Sequence, residues 1–301
     1  MKAVSITHKP RKTRKNGLFN RIGGLDWILF VILGIYALMI IYPFYNALLI
    51  SVSPEWVYME TPFLIVPKEF TFDNYKAVFQ SSALWSGFRV TLFLLVVGTA
   101  YQLFFTVITG YALSRSNWLG KNLVMNMIIV TMFFGGGLIP YYYLIKNLGL
   151  YNEIWVMIIP GAIDTYNMLL MRNYFASLPA DMEESAKTDG ANDIQIFFGI
   201  YLPMSLPMLA TIGLFFAVGN WNSWYNAMLF IENPKYKTLQ LVLREIIVTS
   251  SSQMEVPRNV DVYSEGLNMA CIFFTIVPMM CFYPFLQRFF VKGLVVGAIK
   301  G

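Results

Sequence analysis

A helix must run about 20 mainly apolar residues to cross the ~30 Å hydrocarbon layer of a bilayer. This chain offers six such runs, at 27–50, 88–113, 122–143, 154–172, 204–228 and 267–289. Six runs in 301 residues leave little chain for anything else, and 13% charged side chains against 57% hydrophobic ones compares with about a quarter charged in soluble domains. The chain is therefore expected to be an all-α integral membrane protein with six transmembrane helices. The first run, "DWILFVILGIYALMIIYPFYNALLISVS", exceeds the ~7–15-residue core of a signal peptide and lacks an A-x-A cleavage site, so it reads as a retained span.

The formal net charge of +5 does not point to nucleic acid, because Lys2, Lys9, Arg11, Lys12, Arg14, Lys15 and Arg21 all precede the first span with no acid among them. A basic flank of this kind keeps an N-terminus in the cytoplasm, and six crossings return the C-terminus to the same side. Arg115 and Lys121 between the second and third spans, and Arg288, Lys292 and Lys300 after the last, agree with that orientation. The expected organisation is a basic segment at 1–25, the first span and an external loop at 26–85, a five-helix core at 86–290 with a cytoplasmic loop at 177–203, and a tail at 291–301. The outer segments 53–83 and 229–265 are too short for cores of their own and read as caps. Cys271 and Cys281, ten positions apart on one helix, would lie ~15 Å apart and cannot pair. With His8 the sole histidine, no metal site and no catalytic cluster is expected. Pro140, Pro160, Pro203, Pro207, Pro278 and Pro284, with Gly135, Gly136 and Gly137, lie in or beside spans. Breaks there are tolerated where protein or a water-filled path satisfies the freed backbone, which favours a bundle around a pathway.

The polar stretch "SLPADMEESAKTDGA" between the fourth and fifth spans would cost roughly 2.5–3.5 kcal/mol per Asp or Lys at membrane depth, so it must lie outside the hydrocarbon. It reads as a two-turn helix. Asp181 is the expected N-cap with Glu184 completing a capping box, Glu183 and Lys187 form an i,i+4 pair, and Gly190 stops the helix. A second short helix, "DIQIFFGIY", leads to Leu202-Pro203. The spacing Glu184-Ser185-Ala186, three residues, Gly190, nine residues, Ile200, one residue, Leu202-Pro203 matches E-A-A-x3-G-x9-I-x-L-P, the signature of the membrane subunits of ATP-binding-cassette importers. Ser185 is the one departure, small for small, and Asp189 and Ala191 resemble the sugar-transporting branch. "GYALSRSNWLGKN" resembles that family's A-Y-A-L-S-R segment, "FFGGGLIPYYYLIKNLGLYN" its third span and outer loop, and "YPFLQRFFVKGLVVGAIKG" is similar to the tail of carbohydrate permeases related to the second membrane subunit of the maltose importer. The likeness covers about 86–301 and is weaker at "IYPFYNALLISVS".

The resemblance implies a type I importer permease fold in the bacterial cytoplasmic membrane, half of a translocation pathway for oligosaccharides, among them fragments of polysaccharides. It implies three protein partners: a pair of ATP-binding subunits, a second, homologous permease and an extracytoplasmic solute-binding protein; lipid surrounds the spans. Glu184, Ser185, Ala186, Asp189, Gly190, Ala191, Ile200, Leu202 and Pro203 would couple to the ATPase, with Lys300 in the tail as a further contact. No G-x-x-x-x-G-K-[ST] phosphate loop occurs in the chain. ATP-Mg therefore belongs to a partner, and this chain is expected to be no enzyme and to bind no cofactor. For the cargo path the candidates are Asp164, Tyr166 and Asn167, where an intramembrane acid faces either a cavity or a structural partner. Trp221, Asn222, Trp224 and Tyr225 are the others, either sugar contacts or an interfacial belt. Import of amino acids, peptides or ions is the alternative within the superfamily; an ion-coupled transporter would need an inverted repeat and a coupling site that the sequence does not display.

Overall fold

The structure, a computed structural model, describes residues 24–61, 65–66, 68–115, 119–248 and 263–298, with side chains at 26–282 of these. The basic segment before residue 24 and Lys300 lie outside the described residues. Every regular element described is helical: α1 Gly24–Ser51, α2 Glu55–Glu60, α3 Asp73–Gln80, α4 Ser82–Ser114, α5 Lys121–Phe133, α6 Leu138–Asn147, α7 Thr165–Ser177, α8 Asp181–Thr188, α9 Asp193–Met204, α10 Leu206–Trp221, α11 Tyr225–Phe230, α12 Leu239–Val248 and α13 Ser264–Ala298. Three helices, at Asp26–Ser51, Ser82–Ser114 and Ser264–Phe282, are long and apolar enough to cross a membrane, and three bent pairs bring the crossings to as many as six.

The bent pairs revise three of the expected spans. The run 122–143 is not one rod: α5 and α6 meet at 115°. The break falls on Gly135-Gly136-Gly137, and Gly137 adopts φ +85°, a left-handed conformation that only glycine enters without penalty. At 13 residues, α5 is about 20 Å long, short of the hydrocarbon thickness by itself. The fourth run opens instead as 3-10 turns at Ile154–Met157 and Ile159–Gly161, then bends 42° into α7. The fifth run ends early, since α10 stops at Trp221 and α11 is a separate helix; α9 precedes it at a 77° bend. The last helix runs past the expected 289 to Ala298.

α4 is the axis of the fold, packing along α7, α10 and α12. Its N-terminus is capped by Ser81, whose Oγ accepts the Leu84 N–H, and it carries a π-helical turn at Leu94–Gly98. Three apolar cores line it. One, around Leu84, Trp221, Leu239 and Leu267, joins it to α10, α12 and α13. A second gathers Leu94, Ile145, Val156 and Phe230, and a third gathers Val107, Met171, Phe175, Ile196, Tyr201, Ile212 and Phe216. By contrast, residues 26–45 of α1 are exposed on every side, and α5 buries no residue. Apolar surface of that kind is at rest only against lipid or another membrane subunit.

One close approach in the bundle is backbone to backbone. A Cβ on Gly87 would sit 3.0 Å from Leu239 Cα and 3.1 Å from its amide nitrogen, so neither side can yield by a rotamer change. Gly87→Val is expected to destabilise the α4–α12 contact by roughly 1–3 kcal/mol, read as a lower thermal midpoint of the detergent-solubilised protein. Gly34→Val, where the added Cβ meets nothing within 4 Å, should leave the midpoint unchanged.

Candidate functional site

The polar loop between α7 and α10 forms a compact unit because its two short helices are built to stop and restart. α8 ends in a Schellman turn. The Ala191 N–H donates to the Ala186 carbonyl at 2.9 Å and the Gly190 N–H to Lys187 at 3.0 Å, with Gly190 at φ +86° as the turn requires. Nothing approaches within 4 Å of where a Gly190 Cβ would lie, so within this chain the glycine serves its dihedral angle. The expected capping box on Asp181 is absent. The N-cap is Ala180, whose carbonyl takes the amides of Glu183 and Glu184, and Asp181 lies exposed in the first turn. The capping box sits one helix later: Asn192 Oδ1 accepts from the Gln195 N–H at 2.8 Å and Gln195 Oε1 from the Asn192 N–H at 2.9 Å, opening α9. Its middle, Phe197–Tyr201, is a π turn just ahead of Pro203, which has no amide to donate.

One arginine ties this unit to the bundle. Arg115, at the end of α4, donates through Nη1 to both the Glu183 carboxylate and the Tyr201 hydroxyl, through Nη2 to the Phe175 carbonyl at 3.0 Å, and through Nε to Ser114 Oγ at 3.2 Å. Its guanidinium also lies 4.1 Å over the Tyr201 ring. Tyr201 in turn donates to Glu183 at 2.9 Å, and Lys187 donates to the other Glu183 oxygen at 2.8 Å. Burial raises the pKa of Glu183, but hydrogen bonds from Lys187, Tyr201 and Arg115, with the guanidinium charge, outweigh it and hold the carboxyl at about 2. A polar cleft of about 550 Å³ runs alongside, bordered by Tyr111, Arg115, Glu183, Glu184, Lys187 and Asp193.

The residues singled out by the loop signature divide into two faces. Ala186, Ala191, Ile200 and Leu202 pack against the third core. Glu184, Ser185, Asp189, Gly190 and Pro203 face outward, accompanied by exposed Met182, Ile194 and Phe198. Inward residues hold the loop on the bundle; outward ones are free to meet another protein.

The cargo-path candidates are not brought into one cluster. Asp164 is the N-cap of α7, its Oδ1 accepting the Asn167 N–H at 2.8 Å. Tyr166 is exposed, while Asn167 is buried with its side-chain oxygen unpartnered among the described residues. Trp221 is buried in the first core, edge-on to Phe88 at 6.2 Å. Asn222 is exposed and donates to the Val218 carbonyl at 2.9 Å. Trp224 and Tyr225 meet edge-on at 5.6 Å. A polar contact outside those candidates joins the bundle's centre: buried Asn220 donates to Thr99 Oγ1 at 3.1 Å and to Gln102 Oε1 at 2.9 Å, beside Gly98, whose Cβ would lie 3.1 Å from Asn220. Among the described residues no group of three or more His, Cys, Asp or Glu is placed to hold a metal ion.

Comparison with known proteins places this geometry in context. The family described as "Binding-protein-dependent transport system inner membrane component" matches residues 25–296. The chain is 38% identical to Protein LplC of Bacillus subtilis (strain 168), over 96% of this chain and 98% of that one. It is 34% identical to the Polygalacturonan/rhamnogalacturonan transport system permease protein YtcP of the same organism, over 95% and 100%. Among solved structures, a bacterial ABC transporter involved in the import of the acidic polysaccharide alginate contains a chain with a TM-score of 0.83 and 31% identity, covering 94% of this chain and all of that one.

A carboxylate whose folded value lies below its ordinary one contributes stability that is complete above the ordinary value and lost as pH falls through the folded one. For Glu183, lowered from 4.5 to about 2, the loop's hold on the bundle should therefore weaken between about pH 4.5 and pH 2, a loss on the order of 3 kcal/mol at most. A spin label at exposed Thr188 should report this as rising mobility on acidification. Arg115→Ala should show the mobile spectrum already at neutral pH.

Proposed function

The chain belongs to the family of binding-protein-dependent transport system inner membrane components, and from that premise we propose that it is the permease subunit of an ATP-driven oligosaccharide importer whose cargo derives from polysaccharide breakdown. Members of this family are multi-pass proteins of the cytoplasmic membrane that rely on a separate ATPase. The cargo class is supported by the permease that serves polygalacturonan and rhamnogalacturonan transport and by the likeness to the alginate importer. A pair of ATP-binding subunits, a second permease related to this one and an extracytoplasmic solute-binding protein complete the assembly, and ATP-Mg resides on the ATPase.

Both termini and the α8–α9 loop face the cytoplasm in this reading. Residues 86–290 carry the pathway and the coupling loop at 177–203, flanked by the first span with its external loop at 26–85 and by the tail at 291–301, where Lys300 approaches the ATPase. The observation that carries it is the division of the loop signature: one face is seated in the third core while the other, with Glu184, Ser185, Asp189 and Gly190, is presented outward on a helix pinned by Arg115. Glu184 is available for charge-assisted hydrogen bonds to a basic partner. A rigid peg in a cleft of the ATPase turns closure of that subunit into rigid-body motion of the spans. At the opposite end of α10, roughly 24 Å away along its axis, Trp221, Asn222, Trp224 and Tyr225 border the path, and Asp164, Tyr166 and Asn167 at the start of α7 form a separate part of it. Aromatic faces there stack on sugar rings and amides pair with hydroxyls.

Gly190→Trp is the test. The side chain meets open space within this chain, while the left-handed φ of +86° costs any non-glycine residue about 1–2 kcal/mol. Gly190→Ala, strained alike but without the bulk, is therefore the control: both variants should insert and purify, and Gly190→Ala should keep its ATPase. In Gly190→Trp, co-purification of the ATPase and oligosaccharide uptake should both be lost; uptake persisting in a stable Gly190→Trp protein would overturn the docking role.

A further inference from the structure

The segment after α10 offers one cation that the rest of the bundle leaves uncompensated. Arg244 lies on α12, exposed, with its guanidinium carbon 4.2 Å from the centre of the Trp224 ring. No carboxylate pairs with it among the described residues. The neighbouring acid, Glu245, is taken by Lys237 through two contacts of 2.7 and 2.8 Å. One turn earlier on the same face of α12 is Gln240, which with Trp221, Asn222 and Leu243 faces Ile272, Thr275 and Ile276 of α13 across a mainly apolar cleft of about 430 Å³. Arg244 and Trp224 stand beside this cleft and do not line it.

We infer that Arg244, resting over the Trp224 ring, is a carboxylate subsite at the cargo mouth, and that the cargo is an acidic oligosaccharide presenting a uronate there. The inference rests on the reading that the segment from Trp221 to Tyr225 borders the path. Its chemistry follows from the parts. A guanidinium presents a planar fork that matches a carboxylate with two parallel hydrogen bonds, which an ammonium cannot do. Attraction to the Trp224 face fixes the orientation of that fork before the ligand arrives, so less freedom is lost on binding. Gln240 and Asn222 carry amide donors and acceptors suited to the hydroxyls of the same sugar, and the indole of Trp221 gives the cleft an apolar wall. A neutral sugar could occupy the cleft but would leave the fork beside it without a partner.

The test uses the complete importer in proteoliposomes with its own solute-binding protein. The two probes are a galacturonate trisaccharide and its carboxyl-reduced counterpart, in which each carboxylate is replaced by a hydroxymethyl group. The readout is the ratio of charged to neutral uptake. Wild type should favour the charged probe. Arg244→Gln should lower the ratio about tenfold or more, and Arg244→Lys, which keeps the charge without the fork, should fall between. Trp224→Phe keeps a ring under the guanidinium and should retain most of the preference, which guards against reading a misfolded variant as a lost subsite. An unchanged ratio in Arg244→Gln overturns the inference. A wild-type importer that moves neutral oligosaccharides and no uronate overturns it too, while leaving the proposed function standing. A wild type that moves neither probe nor any other oligosaccharide sinks both.

Discussion

Arg115 reaches three consecutive helices that lie 60 to 86 residues further along the chain. Its side chain is only 23% exposed, and a cation in that position must be well provided with acceptors. Glu183 from α8, Tyr201 from α9 and the Phe175 carbonyl from the last turn of α7 supply them. A guanidinium can serve all three at once because its donors lie in one plane and point in different directions. Tyr201 closes the network by donating to the same carboxylate, so each member polarises the next. Without Arg115, Glu183 keeps only Tyr201 and Lys187, both from the loop itself, and the tie to α4 is gone. The α8–α9 loop is consequently an extension of the bundle and not a flexible connector.

The same logic appears at the far end of α10. Asn220 bonds Thr99 and Gln102 on α4, so α4 and α10 are joined by polar contacts near one end, by Ile212, Phe216 and Val107 along their length, and through Tyr201 to Arg115 at the other. Each polar node lies next to a π-helical turn, Leu94–Gly98 in one case and Phe197–Tyr201 in the other. An added residue in a turn rotates everything beyond it, and such turns recur at functional sites. Here they aim Tyr201 at Arg115 and bring the small surface of Gly98 against Asn220. α10 and the C-terminal half of α4, clasped at two points, move together, and rocking one half of a transporter against the other needs such a body.

The crossings were legible because bilayer thickness converts directly into run length. Their bends were half legible: Gly135 to Gly137 marked a break, but the 115° turn depends on a positive φ that composition does not display. Gly190 as a helix stop and the Glu183–Lys187 pair were readable because both are local. The cap was misplaced, since Asp181 and Glu184 have the right spacing while the chain enters α8 one residue early, through the Ala180 carbonyl. Asp164 stood out as a lone intramembrane acid, and its local duty is to cap α7. Arg115 and Tyr201 were visible only as a charge at a span end and an aromatic in a helical run, because their partners lie far away in sequence. Arg244 gave no signal for the same reason, as its meaning comes from the Trp224 face beneath it.

The central claim is that the α8–α9 loop and α4 form one rigid body through Arg115. Spin labels at Asp181 and Ala112, both exposed, allow their separation to be measured in the assembled importer, first without nucleotide and then with ATP trapped on the ATPase. The account predicts one narrow distance distribution, unchanged between the two states, that broadens when Arg115 is replaced by Ala. A separation that shifts by several ångströms between the two states of the wild type, or a distribution indifferent to the loss of Arg115, would contradict it.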